Sequence, residues 1–128
     1  MKKKFNLFFY NKFVEAIECF DKAIKIYANY ALAYNNKAIA LIALRRYDEA
    51  LLCFDKSIEI NPDDHKGLYN KGMALFKLHK YDEAIQYFRK SISIYPNDKQ
   101  TQIQLDKCLS AKKKEIASKQ VTNAFSLI

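Results

Sequence analysis

The stretches YDEALLCFDKSIEINP, residues 47–62, and YDEAIQYFRKSISIYP, residues 81–96, decide the fold. They lie 34 residues apart. Extended backwards, they become ALAYNNKAIALIALRRYDEALLCFDKSIEINPDD at 31–64 and HKGLYNKGMALFKLHKYDEAIQYFRKSISIYPND at 65–98. These align without gaps and are identical at 16 of 34 positions. A shorter third copy lies upstream: FVEAIECFDKAIKI at 13–26 matches 47–60 at 8 of 14 positions. A fixed period of this length signals supersecondary units that stack on one another.

Each full copy holds two helical patterns. Apolar residues recur at three- and four-residue steps in Tyr34, Ala38 and Leu41, and again in Ala50, Phe54 and Ile58, the spacing of one face of an α-helix. Arg45-Arg46 and His79-Lys80 fall between the two patterns and read as short turns. Asn61-Pro62 and Tyr95-Pro96 end the second helix, because proline has no N–H to continue the ladder and disfavours helix in the residue before it. Two antiparallel helices per copy form a hairpin whose apolar face must be covered by its neighbours.

The 34-residue pattern resembles the tetratricopeptide repeat, or TPR. Counting Ala31 and His65 as position 1, small residues stand at position 8 (Ala38, Gly72), position 20 (Ala50, Ala84) and position 27 (Ser57, Ser91). Aromatic residues stand at 17 (Tyr47, Tyr81) and 24 (Phe54, Phe88), and proline at 32. The physics agrees with the resemblance. Small residues let paired helices approach closely, and the rings fill the space around them. The implied fold is all-α, a solenoid of antiparallel helix hairpins with a C-terminal capping helix. The expected parts are an incomplete first repeat at 1–30, repeats at 31–64 and 65–98, a capping helix at 99–118 and a flexible tail at 119–128. The first helix of the incomplete copy is expected at about 3–10. The fourth copy breaks the pattern at Asp106, where a small residue should stand, so 99–118 reads as a cap packed through Leu105, Cys108, Leu109 and Ile116. Phe5, Leu7, Phe8 and Phe9 have no earlier repeat to cover them. Packing on their own second helix, a homodimer or a longer array would each do so.

Composition narrows the function. Half the residues of this 128-residue chain are hydrophobic, with two Gly and two Pro, too apolar for a disordered chain. The net charge is +8. Residues 31–64 hold six acidic and four basic groups, 65–98 three and six, and the last thirty two and six. Such a balance favours acidic partners. The longest uninterrupted apolar run, Ala38–Leu44, is far shorter than the ~18 residues of a membrane span. Residues 1–13 carry no small-residue cleavage site, so a cytoplasmic or nuclear protein is expected. Cys19, Cys53 and Cys108 form no disulfide framework and read as buried thiols. His65 and His79 pair with no cysteine at metal-ligand spacing, and no glycine-rich phosphate loop is present. No enzyme, metal or cofactor is expected.

The resemblance implies a binding groove lined by the first helices of successive repeats, at positions 2, 5, 6, 9 and 13. Carried over, these give Asn35, Asn36 and Ile39, then Lys66, Tyr69, Asn70, Met73 and Lys77, with Gln104 and Lys107 from the cap. An Asn side chain both donates and accepts, so it can hold a peptide backbone whatever its sequence. Lysines beside it suit an acidic or C-terminal segment of another protein. In co-chaperone relatives the groove clamps the Glu-Glu-Val-Asp tail of heat-shock chaperones. Of that clamp Asn36 and Lys66 are present, Asn70 stands in the arginine slot, and the first-repeat slots fall on Met1 and Phe5. Nucleic-acid binding through Lys112-Lys113-Lys114 is the rival reading from another class. A charge run on a cap helix is usually a solvated face, and that reading is preferred here.

The packing scheme has a direct test in chemical denaturation. Phe54→Ala should cost about 3–5 kcal/mol, and Ala84→Phe, which overpacks the paired contact, roughly 1–3 kcal/mol. Unchanged midpoints in both would refute the scheme.

Overall fold

The computed structural model describes residues 6–127. It contains six helices, α1 (Leu7–Ile26), α2 (Ala31–Ala43), α3 (Tyr47–Ile60), α4 (His65–Lys77), α5 (Tyr81–Ile94) and α6 (Lys99–Ser126), and no strand among the described residues. Helices α2 and α3 form one antiparallel hairpin and α4 and α5 the next. Each helix also packs on the one that follows it.

The turns inside the hairpins repeat in detail. Arg45 and His79 both adopt left-handed backbone conformation, each at φ 60°. The N–H of Arg46 then reaches the Leu41 carbonyl at 2.9 Å, and the N–H of Lys80 reaches that of Leu75 at 2.9 Å. This six-to-one closure satisfies carbonyls that the helix end leaves free. Asp64 and Asp98 cap α4 and α6 by accepting from the N–H groups of Lys66 and Gln100, each at 3.1 Å. The Thr101 hydroxyl also donates to Asp98 and holds its carboxyl below the usual range.

Small residues and rings meet as the pattern requires. Ala38, Ala50 and Phe54 are fully buried in one cluster, and Ala84 and Phe88 in the next. The serines at position 27 do a second job. Ser57 Oγ donates to the Ala31 carbonyl at 3.0 Å and Ser91 Oγ to the His65 carbonyl at 2.8 Å, tying the end of each hairpin to its start.

Both ends of the chain differ from expectation. Instead of two helices separated near residue 11, the first thirty residues hold one 20-residue helix among those described. Asn11, the counterpart of Arg45, stays helical. Phe5 lies outside the described residues. Helix α6 does not stop at residue 118 but runs through the supposed tail to Ser126. Lys113, the counterpart of His79, is helical too. No proline or glycine interrupts 99–126, and no second helix packs back to reward a turn. In consequence Leu109 and Ile116, expected on the packed side, are exposed, while Leu105 and Cys108 are buried. Cys19, expected to be buried, is exposed, and Cys53 is half-buried.

The two glycines should answer oppositely to substitution. A Cβ at Gly72 would sit 2.7 Å from the fully buried Phe88 ring, whereas one at Gly67 meets nothing closer than 3.6 Å. Gly67→Ala should therefore stabilise by up to ~1 kcal/mol through helix propensity. Gly72→Ala should destabilise by roughly 1–3 kcal/mol because the ring has nowhere to go. Urea unfolding of the two variants reads both signs.

Candidate functional site

The helices divide into two rows. Cα atoms of α2 and α4, and of α4 and α6, come within 8 Å of each other, while no such close approach occurs among α1, α3 and α5 in the described residues. A stack whose one row is in contact and whose other row is splayed must curve toward the touching row. The concave face is therefore built from α2, α4 and α6, the first helix of each full copy and the cap.

The candidate residues fall on these three helices at different depths. Asn35 and Gln104 are buried and belong to the floor. Asn36, Tyr69, Asn70 and Met73 are half-buried, and Ile39, Lys66, Lys77 and Lys107 are exposed. Asn70 Nδ2 donates to Asn35 Oδ1 at 3.2 Å, a bond that joins α2 to α4. The two asparagines of position 6 are thus unequal among the described residues: Asn70 serves a link between copies, while Asn36 makes no such side-chain bond. Tyr69 leans on the Phe88 ring, centroid to centroid 6.0 Å, which fixes it from behind. Lys66, Lys77 and Lys107 enter no ion pair among the described residues.

Two residues of this face were not singled out from the sequence. Leu32 at position 2 and Ile103 at position 5 are exposed, at 57% and 46%. With Ile39 and Met73 they give the groove apolar ground between its amides and lysines. The carried-over positions already pointed at them; hydrophobicity alone would have placed both in a core.

Other lysines are engaged elsewhere. Lys37 Nζ pairs with Asp21 at 2.6 Å, and Lys71 pairs with Asp55. Both lysines stand at position 7 and both aspartates at position 25 of the preceding copy. Lys71 also donates to the Tyr87 hydroxyl at 2.7 Å, with its Nζ 4.2 Å from that ring's centroid. Burial pulls the Lys71 pKa down, but the bonds to Asp55 and Tyr87 outweigh it and hold it above its ordinary value. The bond to Asp21 likewise raises Lys37. A cleft bounded by Asp21, Lys37, Glu49 and Cys53 lies on the outer side, between α1 and α3. Burial raises the Cys53 thiol despite nearby Lys37, which keeps it protonated and poorly nucleophilic.

Among the described residues this face offers side-chain amides, ammonium groups that enter no ion pair and exposed apolar side chains.

The tetratricopeptide-repeat family model matches residues 31–64 and 65–98. Solved structures are similar over most of their length. One is the second TPR domain of human RPAP3 in complex with an HSP70 peptide, SGPTIEEVD. It is 30% identical, at TM-score 0.72, over 77% of this chain and 82% of that one. The first TPR domain of human RPAP3 is 24% identical, at TM-score 0.80, over 84% and 85%. The TPR domain of Arabidopsis OM64 is 24% identical, at TM-score 0.75, over 79% and 84%. No curated protein matches the sequence.

The unequal asparagines can be separated by unfolding. Asn70→Ala removes the donor to a buried acceptor and should cost about 1 kcal/mol. Asn36→Ala should stay within about 0.5 kcal/mol of the parent. Equal effects in urea melts would show that the Asn35–Asn70 bond is not carrying load.

Proposed function

The chain belongs to the tetratricopeptide-repeat family, and from that premise we propose that it is a non-catalytic protein-binding module whose α2–α4–α6 face holds an extended acidic segment of a partner. The observation that supports this reading is that Lys66, Lys77 and Lys107, which enter no ion pair among the described residues, stand exposed on the same inner helices as Asn35, Asn36 and Asn70.

Each element has a role in such a complex. Asn36, whose amide makes no side-chain bond among the described residues, would pair with the ligand backbone. Asn70 keeps its Oδ1 and a second N–H for the same purpose. Lysine ammonium groups would make charge-assisted bonds to carboxylates. Leu32, Ile39, Met73 and Ile103 would bury aliphatic side chains of the ligand. The peptide in the RPAP3 second-domain complex ends in Glu-Glu-Val-Asp, so it combines acids, an aliphatic residue and a terminal carboxylate. That similarity supports an acidic C-terminal ligand here. The clamp is not reproduced whole, however. Asn70 replaces the arginine of the co-chaperone pattern, and Met1 and Phe5 lie outside the described residues. A neutral amide in place of a guanidinium weakens the hold on a carboxylate, so affinity should lean on the three lysines and fall with salt.

Calorimetry with the peptide SGPTIEEVD tests the reading. Binding should weaken at least about tenfold, 1.4 kcal/mol, when the two glutamates become glutamine and the C-terminus is amidated. It should weaken similarly in the Asn36→Ala, Lys66→Ala double variant. Equal binding of the neutral peptide, or no binding of the acidic one, would overturn the proposal.

A further inference from the structure

Position for position, α1 corresponds to the second helices α3 and α5. At positions 20, 24 and 27, where a second helix meets its hairpin partner, α3 and α5 are almost wholly buried. The α1 counterparts are Ala16, Phe20 and Ala23, and all three are only half-buried although α2 packs on the same helix. Phe13 continues the line at position 17. Phe9 and Tyr27 extend it at both ends and are exposed, at 54% and 67%. The steps from Phe9 through Phe13, Ala16, Phe20 and Ala23 to Tyr27 are four, three, four, three and four residues. That is the heptad spacing of a helix–helix seam.

We propose that this seam is the contact between two copies of the chain, with α1 packed antiparallel against α1 of the second copy. The size pattern argues for it. About a two-fold axis at Glu18, Phe13 faces the partner's Ala23, Ala16 faces the partner's Phe20, and Phe9 faces the partner's Tyr27. Both central rings therefore meet an alanine, the same ring-on-small contact that the fold makes between Phe88 and Gly72. Parallel pairing would instead set ring on ring and alanine on alanine, with overlap at one level and a void at the next. Charge permits the antiparallel arrangement. The open flank of the seam carries Lys12, Cys19 and Ile26, so the axis passes beside Cys19 with no like charges opposed.

The far end of the stack does not offer an alternative cover. On α6 the positions that would face a second helix are Gln102 and Asp106, joined to each other at 3.0 Å. Docking α6 onto α1 would press Asp106 against Ala16 and strip the carboxylate of water. A fully buried aromatic side chain covers about 150–250 Å², and the seam's rings are partly exposed. The two copies would thus bury on the order of 1,000 Å² in total, near the lower limit of a specific interface. The dimer is accordingly weak, in the micromolar range, and depends on concentration.

Sedimentation equilibrium of the 128-residue chain should show its mass rising from 15.0 kDa toward twice that value with concentration. Ala16→Glu should hold it at the monomer mass, while Val121→Glu on the exposed part of α6 should change nothing. If Ala16→Glu loses its helical circular dichroism, Phe9→Lys carries the test, because that ring is exposed and its loss spares the α1–α2 packing. A short bis-maleimide should join Cys19 of one copy to Cys19 of the other and leave Cys19→Ser unlinked. A monomer at every concentration, or a dimer that survives both seam variants, would overturn the proposal.

Discussion

Everything in this fold hangs on a ring seated against a small residue on the facing helix. Phe54 packs with Ala38 and Ala50, and Phe88 with Gly72 and Ala84. A Cβ at Gly72 would already intrude on the Phe88 ring, so the two helices stand as close as the backbone allows. Such proximity has a consequence for the turn. Arg45 and His79 must adopt left-handed backbone without being glycine, at a cost of about 1–2 kcal/mol each. The closing bonds from Arg46 to Leu41 and from Lys80 to Leu75 repay part of that cost. Burial of the rings repays the rest, since truncating a buried Phe typically costs about 3–5 kcal/mol.

The ends of the chain show the converse. In the fourth copy Asp106 stands where Ala38 and Gly72 allow close approach. A second helix brought against it would desolvate the carboxylate, so no packing energy is available to reward a left-handed residue at Lys113. Continuing the helix adds a backbone bond per residue instead, and α6 runs straight to Ser126. At the other end Asn11 is helical and α1 is likewise uninterrupted. The hairpin is therefore not a property of the turn sequence. Arg45-Arg46 and His79-Lys80 share little chemistry beyond their place, and the turn forms where two helices have something to bury.

This explains why the middle of the chain was legible in its sequence and the ends were not. The 34-residue identity carries the small residues, the rings and the prolines together, so the α2–α3 and α4–α5 hairpins follow with their boundaries. Residues 1–30 show only a second-helix pattern, and the first helix drawn for them at 3–10 had no pattern of its own. The length of α6 is not legible from the repeat, because similarity to the earlier copies fades within it while its residues remain good helix formers. On the candidate face, position numbers located the lysines and asparagines but not their depth. Burial of Asn35 and Gln104 depends on how closely α2, α4 and α6 approach, which no single helix encodes. The Lys37–Asp21 and Lys71–Asp55 pairs repeat with the same period and could have been read from it. They were missed because both partners look like ordinary surface charges until the stacking is drawn.

Those pairs also clarify what the concave face is suited to do. Lysines at position 7 point between copies, and each finds an aspartate of the preceding one. The series ends at the α5–α6 junction, where position 7 is the buried Leu105 and position 25 is Arg89. Charge that serves the stack is thus neutralised within it. Lys66, Lys77 and Lys107 have no such partner among the described residues, and all three are exposed. Asn70 has a share in the stack too. It lends one N–H to Asn35 and thereby helps hold α2 against α4, yet retains an acceptor and a donor. An arginine in its place would supply charge but no acceptor; an aliphatic residue would give neither bond. The residue that departs from the charged pattern thus ties α2 to α4 and keeps hydrogen-bonding capacity beyond that bond.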